Sequence, residues 1–404
     1  DADGPSAGIE EIIDSLFSDT FEYNPNLESQ YKTIANRLKA IKILDPACGS
    51  GAFPMGLLNR LVDILQKINP EQDTYSRKLQ IIENCIYGSD IQNIAAQISK
   101  LRFFISLICD CEKDPSKPNY GIPTLPNLET KFVTANSLIA LHKRPKEVTL
   151  DIFADNENSP INLKKKELLD VRHQHFRAKK ASEKMRLRKQ DETLRAELLQ
   201  LLEQEDTFAP KDAIQLAKWN PYDQNEQAKF FDPEWMFGVT DGFDIVIGNP
   251  PYIQLQKSTG KTGIDKKGKV YDIKFADLYA DCGYNTFDRS GDIYCLFYER
   301  GHQLLKQNGH LCYITSNKWM RAGYGEKTRE FLANNTDPQL LIDFAGVKIF
   351  ESATVDTNIL LFANGKNRHK TLCAVTNKSN KDDLKQLSDF VRSHSSVCDF
   401  NGSD

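Results

Sequence analysis

Four consecutive residues, Asn249, Pro250, Pro251 and Tyr252, bring together an amide oxygen, a stiff turn and an aromatic face. Two prolines in a row fix two φ angles and remove two N–H donors, so this stretch of backbone can only accept hydrogen bonds, through its carbonyls. Acceptors beside an aromatic ring suit a flat ligand that carries an exocyclic NH2 group. The tetrapeptide follows Phe243-Asp244-Ile245-Val246-Ile247-Gly248, an apolar run that reads as a buried strand. That puts it at the carboxyl end of a strand, where open α/β sheets place their chemistry.

A second constellation lies upstream. Ile41-Lys42-Ile43-Leu44 reads as a short strand, followed by Asp45-Pro46-Ala47-Cys48-Gly49-Ser50-Gly51-Ala52-Phe53 and a helical pattern at Leu57, Leu58, Leu61, Val62 and Leu65. Strand, glycine loop and helix form a cradle in which the backbone passes close to a ligand and free N–H groups face it. The loop is neither G-x-G-x-x-G nor a P-loop, so pyrophosphate is disfavoured. Asp45 at the mouth would repel phosphate and attract a cation, and a ligand with ammonium and sulfonium groups, such as S-adenosylmethionine, fits better. Cys48 has no nearby His to serve as its base and reads as a packing residue.

The two motifs in this order resemble those of γ-class DNA adenine methyltransferases that methylate an amino group. Phe231-Asp232-Pro233-Glu234-Trp235-Met236-Phe237 ahead of the tetrapeptide, and Asp292-Ile293-Tyr294-Cys295-Leu296-Phe297-Tyr298-Glu299-Arg300-Gly301 after it, are similar to the methylase portion of type IIG restriction-modification enzymes. The resemblance covers roughly residues 30 to 365. It implies an α/β, Rossmann-like S-adenosylmethionine-dependent methyltransferase fold, with a mostly parallel seven-stranded sheet flanked by helices. It also implies that Asp45, Ala47, Cys48, Gly49, Ser50, Gly51, Phe53, Asp90, Ile91, Asn136 and Ser137 surround the cofactor. Asn249, Pro250, Pro251 and Tyr252 would be catalytic, with Tyr252 and Phe350 stacking on the target base. No metal is expected. Double-stranded DNA is the expected partner, with an endonuclease and a target-recognition region in the same longer polypeptide.

The elements that must position these residues can be read along the chain. Residues 1–40 are expected to be helical from Ile9 to Phe17 and from Leu27 to Leu38, and residues 41–365 to form the methyltransferase domain. A second strand, Ile81 to Asp90, ends on an acid suited to ribose hydroxyls. Apolar residues at 94, 98, 101, 105 and 108 give a helix a core-facing stripe. A third strand, Lys131 to Ala135, ends at Asn136-Ser137; the wider class often has Asp at Asn136, though an amide can still donate and accept. Residues 140–240 interrupt the sheet pattern with a helical hairpin over about 163–206, projecting from the core, in which Ser182 could cap the second helix. Strands are then expected at 309–315, 340–344 and 358–362, with a helix at 292–306. Residues 366–404 are a polar C-terminal extension, a possible start of a target-recognition region.

The chain has 404 residues, 40% hydrophobic and 27% charged, which places it in the ordinary globular class. No apolar run is long enough for a membrane span and the N-terminus lacks a signal pattern, so a cytoplasmic location is expected. The chain starts at Asp1 without an initiator Met, which suggests a fragment. Nine scattered cysteines, without C-x-x-C spacing, read as free thiols. A net charge of -4 is unhelpful for DNA binding, so local charge must supply it. Two basic segments are candidates: Lys164 to Lys189, and the loop carrying Lys257, Lys261, Lys266, Lys267, Lys269 and Lys274 directly after the tetrapeptide.

Adenine N6 is a weak nucleophile because its lone pair is delocalised. Asn249 Oδ1 and the Pro250 carbonyl, aimed at its hydrogens, would favour the pyramidal geometry of the transition state. A duplex base must be flipped out to reach them. Competing readings are methylation of a protein glutamine amide or of RNA, which pose the same nucleophile problem, and a non-catalytic nucleic-acid-binding subunit that keeps the fold. The chain has no persuasive P-D…D/E-x-K nuclease constellation.

Overall fold

The computed structural model describes residues 7–402 except 19, 142–158, 206–207, 224, 265–269, 351–354, 377–383 and 385. Helices α1 (Ala7–Phe17) and α2 (Glu28–Ala40) lead into strand β1 (Ile43–Asp45). Helices α3 (Ala52–Ile68) and α4 (Thr74–Asn84) connect to β2 (Ile86–Asp90), and α5 (Asn93–Cys109) connects to β3 (Phe132–Thr134). The insertion holds α6 (Pro160–Arg177), α7 (Ala181–Gln204), α8 (Pro210–Lys218) and α9 (Pro233–Phe237). The chain then returns as β4 (Phe243–Gly248), followed by β5 (Thr259–Ile264), β6 (Val270–Lys274), α10 (Phe275–Tyr279) and α11 (Ile293–Leu304). Next come β7 (Leu305–Ser316), α12 (Glu326–Asn335), β8 (Asp337–Asp343) and β9 (Thr357–Ala363). The described chain ends with β10 (Thr371–Val375), α13 (Leu387–His394) and β11 (Ser396–Cys398).

The main sheet runs β11-β10-β8-β9-β7-β4-β1-β2-β3. From β3 to β8 it is a seven-stranded sheet in which β9 alone runs antiparallel to its neighbours; β10 and β11 add two strands at the β8 edge. The chain steps outward from β1 to β2 to β3, then crosses back to place β4 on the other side of β1. The order therefore reverses between β1 and β4, and the carboxyl ends of those strands frame the crevice where such sheets bind ligands. Helices cover both faces. Phe243, Val246, Leu311, Tyr313 and Leu360 belong to one large apolar cluster that also takes in the insertion, while Ile43, Ile86, Phe103 and Phe132 belong to a second.

Several sequence expectations change. Ile81 to Asn84 are the last turn of α4 rather than strand, and the strand is confined to residues 86–90, of which 86–88 pair with β1 and 88–90 with β3. The apolar stripe of α5 does not face the core: Ile94 is 65% exposed and Leu101 56%, with Ile98, Ile105 and Ile108 also exposed. The helix buries Ala95, Ala96, Ser99, Phe103 and Leu107 instead. Small residues let it approach the glycine loop, where Ser99 Oγ donates to the Gly49 carbonyl at 3.0 Å.

The hairpin of α6 and α7 packs against the body rather than projecting from it. Leu168, Val171, Leu187, Leu194 and Leu198 join the large core cluster. Asp191 is buried between Arg172 and Arg195 (2.8 and 2.7 Å), and Arg177 reaches the nearly buried Glu83 at 2.7 Å. Lys180, not Ser182, holds the N-cap position of α7, with no side-chain cap. The segment after the tetrapeptide is a β-ribbon in which β5 and β6 pair antiparallel. Lys266, Lys267 and Lys269 fall outside the described residues.

Candidate active site

Asp45, Asp90, Asn136 and Asn249 all stand at the carboxyl edge of the sheet, because β1, β2, β3 and β4 are parallel and adjacent. Gly49 and Gly51 take left-handed conformations, with φ of 53° and 78°. A Cβ on Gly51 would also lie 2.9 Å from Ser99 Oγ, so this turn requires glycine on two grounds. The loop is laced to its neighbours. Cys48 N–H donates to the Ser89 carbonyl at 3.0 Å, and Gly49 N–H donates to Asp90 Oδ2 at 2.9 Å. Ser137 Oγ donates to the Pro46 carbonyl at 2.6 Å and lies 2.7 Å from Ser89 Oγ.

Asp90 also accepts from Gln92 N–H through Oδ1, at 2.8 Å. Two accepted bonds leave lone pairs on each oxygen for hydroxyl donors. Phe53 and Ile91, 36% and 42% exposed, offer apolar surface on either side of the loop. Ala47 and Ser50 are half-buried, and Cys48 is buried, its thiol pushed well up by that burial. Asn136 is turned inward: Nδ2 donates to Tyr279 Oη at 3.2 Å, and Oδ1 accepts from Leu138 N–H at 3.2 Å. Its amide shapes the loop after β3.

Asp45 is not at an open mouth. It is 2% exposed, accepts from Ala47 N–H at 3.1 Å, and packs so closely under β4 that a Cβ on Gly248 would come within 2.7 Å of Oδ1. Burial pushes its carboxyl up to about 8, and the neighbouring Asp90 adds to the effect. At neutral pH and without a cationic neighbour, it holds its proton.

Asn249, the residue after Gly248, is half-buried, and its Oδ1 is buried with no hydrogen-bond partner among the described residues. Such an acceptor is costly unless something binds to it. Pro250 is buried, Pro251 half-buried, and Tyr252 presents a half-buried ring whose hydroxyl donates to the Ile314 carbonyl at 3.3 Å. Phe350 is half-buried in the connection from β8 to β9, at the same sheet edge because β8 is parallel to β4 and β7.

Sequence reasoning missed a third loop at this edge. Ser316-Asn317-Lys318-Trp319 leaves β7 beside the tetrapeptide, and Asn317 Nδ2 donates to Asp343 Oδ1 at 2.9 Å. Lys318 and Arg321 are exposed there. A signal for it exists in the sequence: a polar run directly after an apolar strand, as at Asn249. Arg300 was also missed; buried, it donates to the Ser137 carbonyl at 2.8 Å and the Phe231 carbonyl at 2.9 Å, pinning the β3 loop to the end of the insertion.

A profile described as the Eco57I restriction-modification methylase matches residues 84–350. The chain belongs to that family. The MmeI DNA-methyltransferase domain profile matches residues 21–144, so the glycine loop lies in one match and the tetrapeptide in the other. Escherichia coli RM.Eco57I, named a type II restriction enzyme and methyltransferase, is 25% identical over 341 residues, covering 81% of this chain and 25% of that one. A Methanocaldococcus jannaschii protein, whose name also pairs a type II restriction enzyme with a methyltransferase, is 28% identical over 379 residues, 82% of this chain and 30% of that one. BrxX of Escherichia coli O9:H4 (strain HS), named an adenine-specific methyltransferase, is 25% identical over 346 residues, 80% of this chain and 26% of that one. The solved structure of the type IIL restriction-modification enzyme MmeI in complex with DNA overlays with a TM-score of 0.45 at 13% identity, over 98% of this chain and 39% of that one. This Eco57I-family chain thus spans about a quarter to a third of the length of the curated relatives it matches. No described helix is long and apolar enough to cross a membrane.

Proposed function

We propose that this chain transfers a methyl group from S-adenosylmethionine to N6 of a flipped-out adenine in DNA, as the methylase portion of a restriction-modification enzyme. The observation that carries this reading is the unpartnered, buried Asn249 Oδ1 at the sheet's switch point, beside the glycine loop. The cradle fits the cofactor by its chemistry: Asp90 with spare lone pairs for ribose hydroxyls, Phe53 and Ile91 as apolar walls for a flat base, and beneath the loop the buried Asp45, whose ionised form a nearby cationic group would favour. S-adenosylmethionine, when bound, supplies an electrophilic methyl group.

The protein's own part is to position and polarise. Asn249 Oδ1 and the Pro250 carbonyl accept the two N6 hydrogens, which localises the lone pair for in-line attack. Tyr252 stacks on the extruded base, worth about 1–3 kcal/mol, with Phe350 as the opposing wall. Once the new N–C bond forms, the nitrogen is strongly acidic and gives its proton to water. DNA phosphates meet the exposed Lys257 and Lys274, both at the base of the β5–β6 ribbon where Thr259 pairs with Lys274, and Lys318 and Arg321 on the β7 loop. The basic hairpin is the weaker candidate, because Lys164, Lys165, Arg172, Arg177 and Arg188 are engaged by carboxylates. An endonuclease and a target-recognition region in the same polypeptide belong to this proposal.

Incubation with methyl-tritiated S-adenosylmethionine and unmethylated bacterial DNA, followed by digestion to nucleosides, tests it. Label is expected in N6-methyladenosine, and Asn249→Ala should lower the rate at least about a hundredfold. Label in protein or RNA, or none with the cofactor bound, would overturn the assignment to DNA.

A further inference from the structure

Tyr252 does not stand alone. Its ring meets Tyr294 edge to face, with centroids 5.9 Å apart and planes at 85°. Tyr294 is fully buried, and its hydroxyl lies 2.9 Å from that of Tyr324. Tyr324 in turn donates to Asp292 Oδ2 at 2.8 Å. A phenol has one proton, and Tyr324 gives its own to Asp292, so the direction is fixed: Tyr294 donates to Tyr324, which donates to Asp292.

The backbone closes the same circuit. Leu255 N–H donates to the Gly291 carbonyl and Ile293 N–H to the Ile253 carbonyl, each at 2.9 Å, which stitches the segment after Tyr252 to the start of α11. Gln254 and Asp292 form an isolated antiparallel bridge. Tyr324 sits in the short turn Gly323–Gly325, just beyond the exposed Lys318 and Arg321.

Resting on the reading above, we propose that Tyr324 is a positioning residue: through Tyr294 and Asp292 it holds the Tyr252 ring in the pose that receives the target base, and it couples that pose to the basic β7 loop. Sequence spacing makes Tyr294 a packing residue, and packing alone would be satisfied by phenylalanine at 324. Positioning would not, because it is the hydroxyl of Tyr324 that links Tyr294 to Asp292.

The test compares Tyr324→Phe, Asp292→Asn and Asp292→Leu in the methyl-transfer assay with genomic DNA, alongside calorimetric affinity for S-adenosylmethionine. Tyr324→Phe and Asp292→Leu are expected to lower kcat about tenfold or more with cofactor affinity unchanged, since small misplacements of a reacting group carry large rate losses. Asp292→Asn keeps an acceptor for Tyr324 and is expected within about threefold of the parent rate. A Tyr324→Phe protein that is folded and within about twofold of the parent rate would overturn the proposal. So would loss of cofactor affinity and thermal stability in step with activity, which marks a merely structural role. A second readout does not depend on DNA methylation: 3-fluorotyrosine placed at position 252 should change its fluorine chemical shift or linewidth on Tyr324→Phe. No change there overturns the proposal, whereas an inactive parent protein with a responsive fluorine signal overturns only the assigned reaction.

Discussion

Replacing Asp45 with Asn should stabilise the cofactor-free protein and do so progressively as pH rises. Asp45 is 2% exposed, accepts one backbone N–H, and has its carboxyl pushed up to about 8 by burial and by Asp90. In the unfolded chain the same group ionises near its ordinary value of 3.8. Folding therefore takes up a proton anywhere between those two values. The sign follows: stability falls as pH rises through that window and levels off above about pH 8. Each unit costs about 1.4 kcal/mol relative to a neutral residue of the same shape. By pH 7 the disadvantage is on the order of 4 kcal/mol, a substantial share of the roughly 5–15 kcal/mol that holds a domain together.

Urea denaturation of both proteins at pH 5, 6, 7 and 8 reads this directly. The difference in unfolding free energy should grow by about 1.4 kcal/mol per unit in favour of Asp45→Asn and flatten at the top of the range. S-adenosylmethionine should reverse the ranking, because a cationic group beside Asp45 favours the carboxylate and Asn supplies no charge. Its binding to the parent at pH 7 should then release a proton, measurable by calorimetry in buffers of different ionisation enthalpy. A difference that stays constant from pH 5 to 8 would refute the argument that Asp45 is held protonated.

Gly51→Ala should cost about 1–3 kcal/mol and weaken cofactor binding, since the residue would have to hold φ at 78° with its Cβ against Ser99; a melting scan with and without S-adenosylmethionine checks both effects. On α5 the two faces should respond oppositely. Ile98→Gln with Leu101→Gln should shift stability by less than about 1 kcal/mol, whereas Phe103→Ala, which empties a fully buried site, should cost about 3–5 kcal/mol; urea denaturation of the two variants separates them.

The strands that carry the chemistry were legible because each is an apolar run that stops abruptly at a polar loop: Ile43-Leu44 at Asp45, and Phe243 to Gly248 at Asn249. Where that abrupt stop was missing, the reading slipped. Ile81 and Ile82 are as apolar as a strand, but they pack from the last turn of α4, and a short apolar run carries no period to separate the two cases. Period fixes a stripe but not its direction. On α5 the large aliphatics look outward while Ala95, Ala96 and Ser99 let the helix close on the glycine loop, a contact between residues some fifty positions apart. The basic hairpin is a weaker DNA candidate than its composition suggests for the same reason, since Arg177 is paired with Glu83, 94 positions earlier.

The close approach of Asp45 to Gly248 joins the two motifs physically. β1 and β4 are neighbours only because the chain reverses its order after β3, and that reversal sets the acid of one loop under the backbone that carries Asn249. With no room for a Cβ at position 248, the carboxyl packs within van der Waals reach of the residue before the acceptor. A ligand that ionises Asp45 must therefore change the electrostatic field at Asn249 across a distance over which a buried charge is poorly screened. A carboxylate nearer to the acceptors than the cation it pairs with would make their oxygens stronger partners for the hydrogens of an amino group. Under the proposed function, binding of a cationic cofactor in one loop would thus polarise the other, and the coupling would need no moving part.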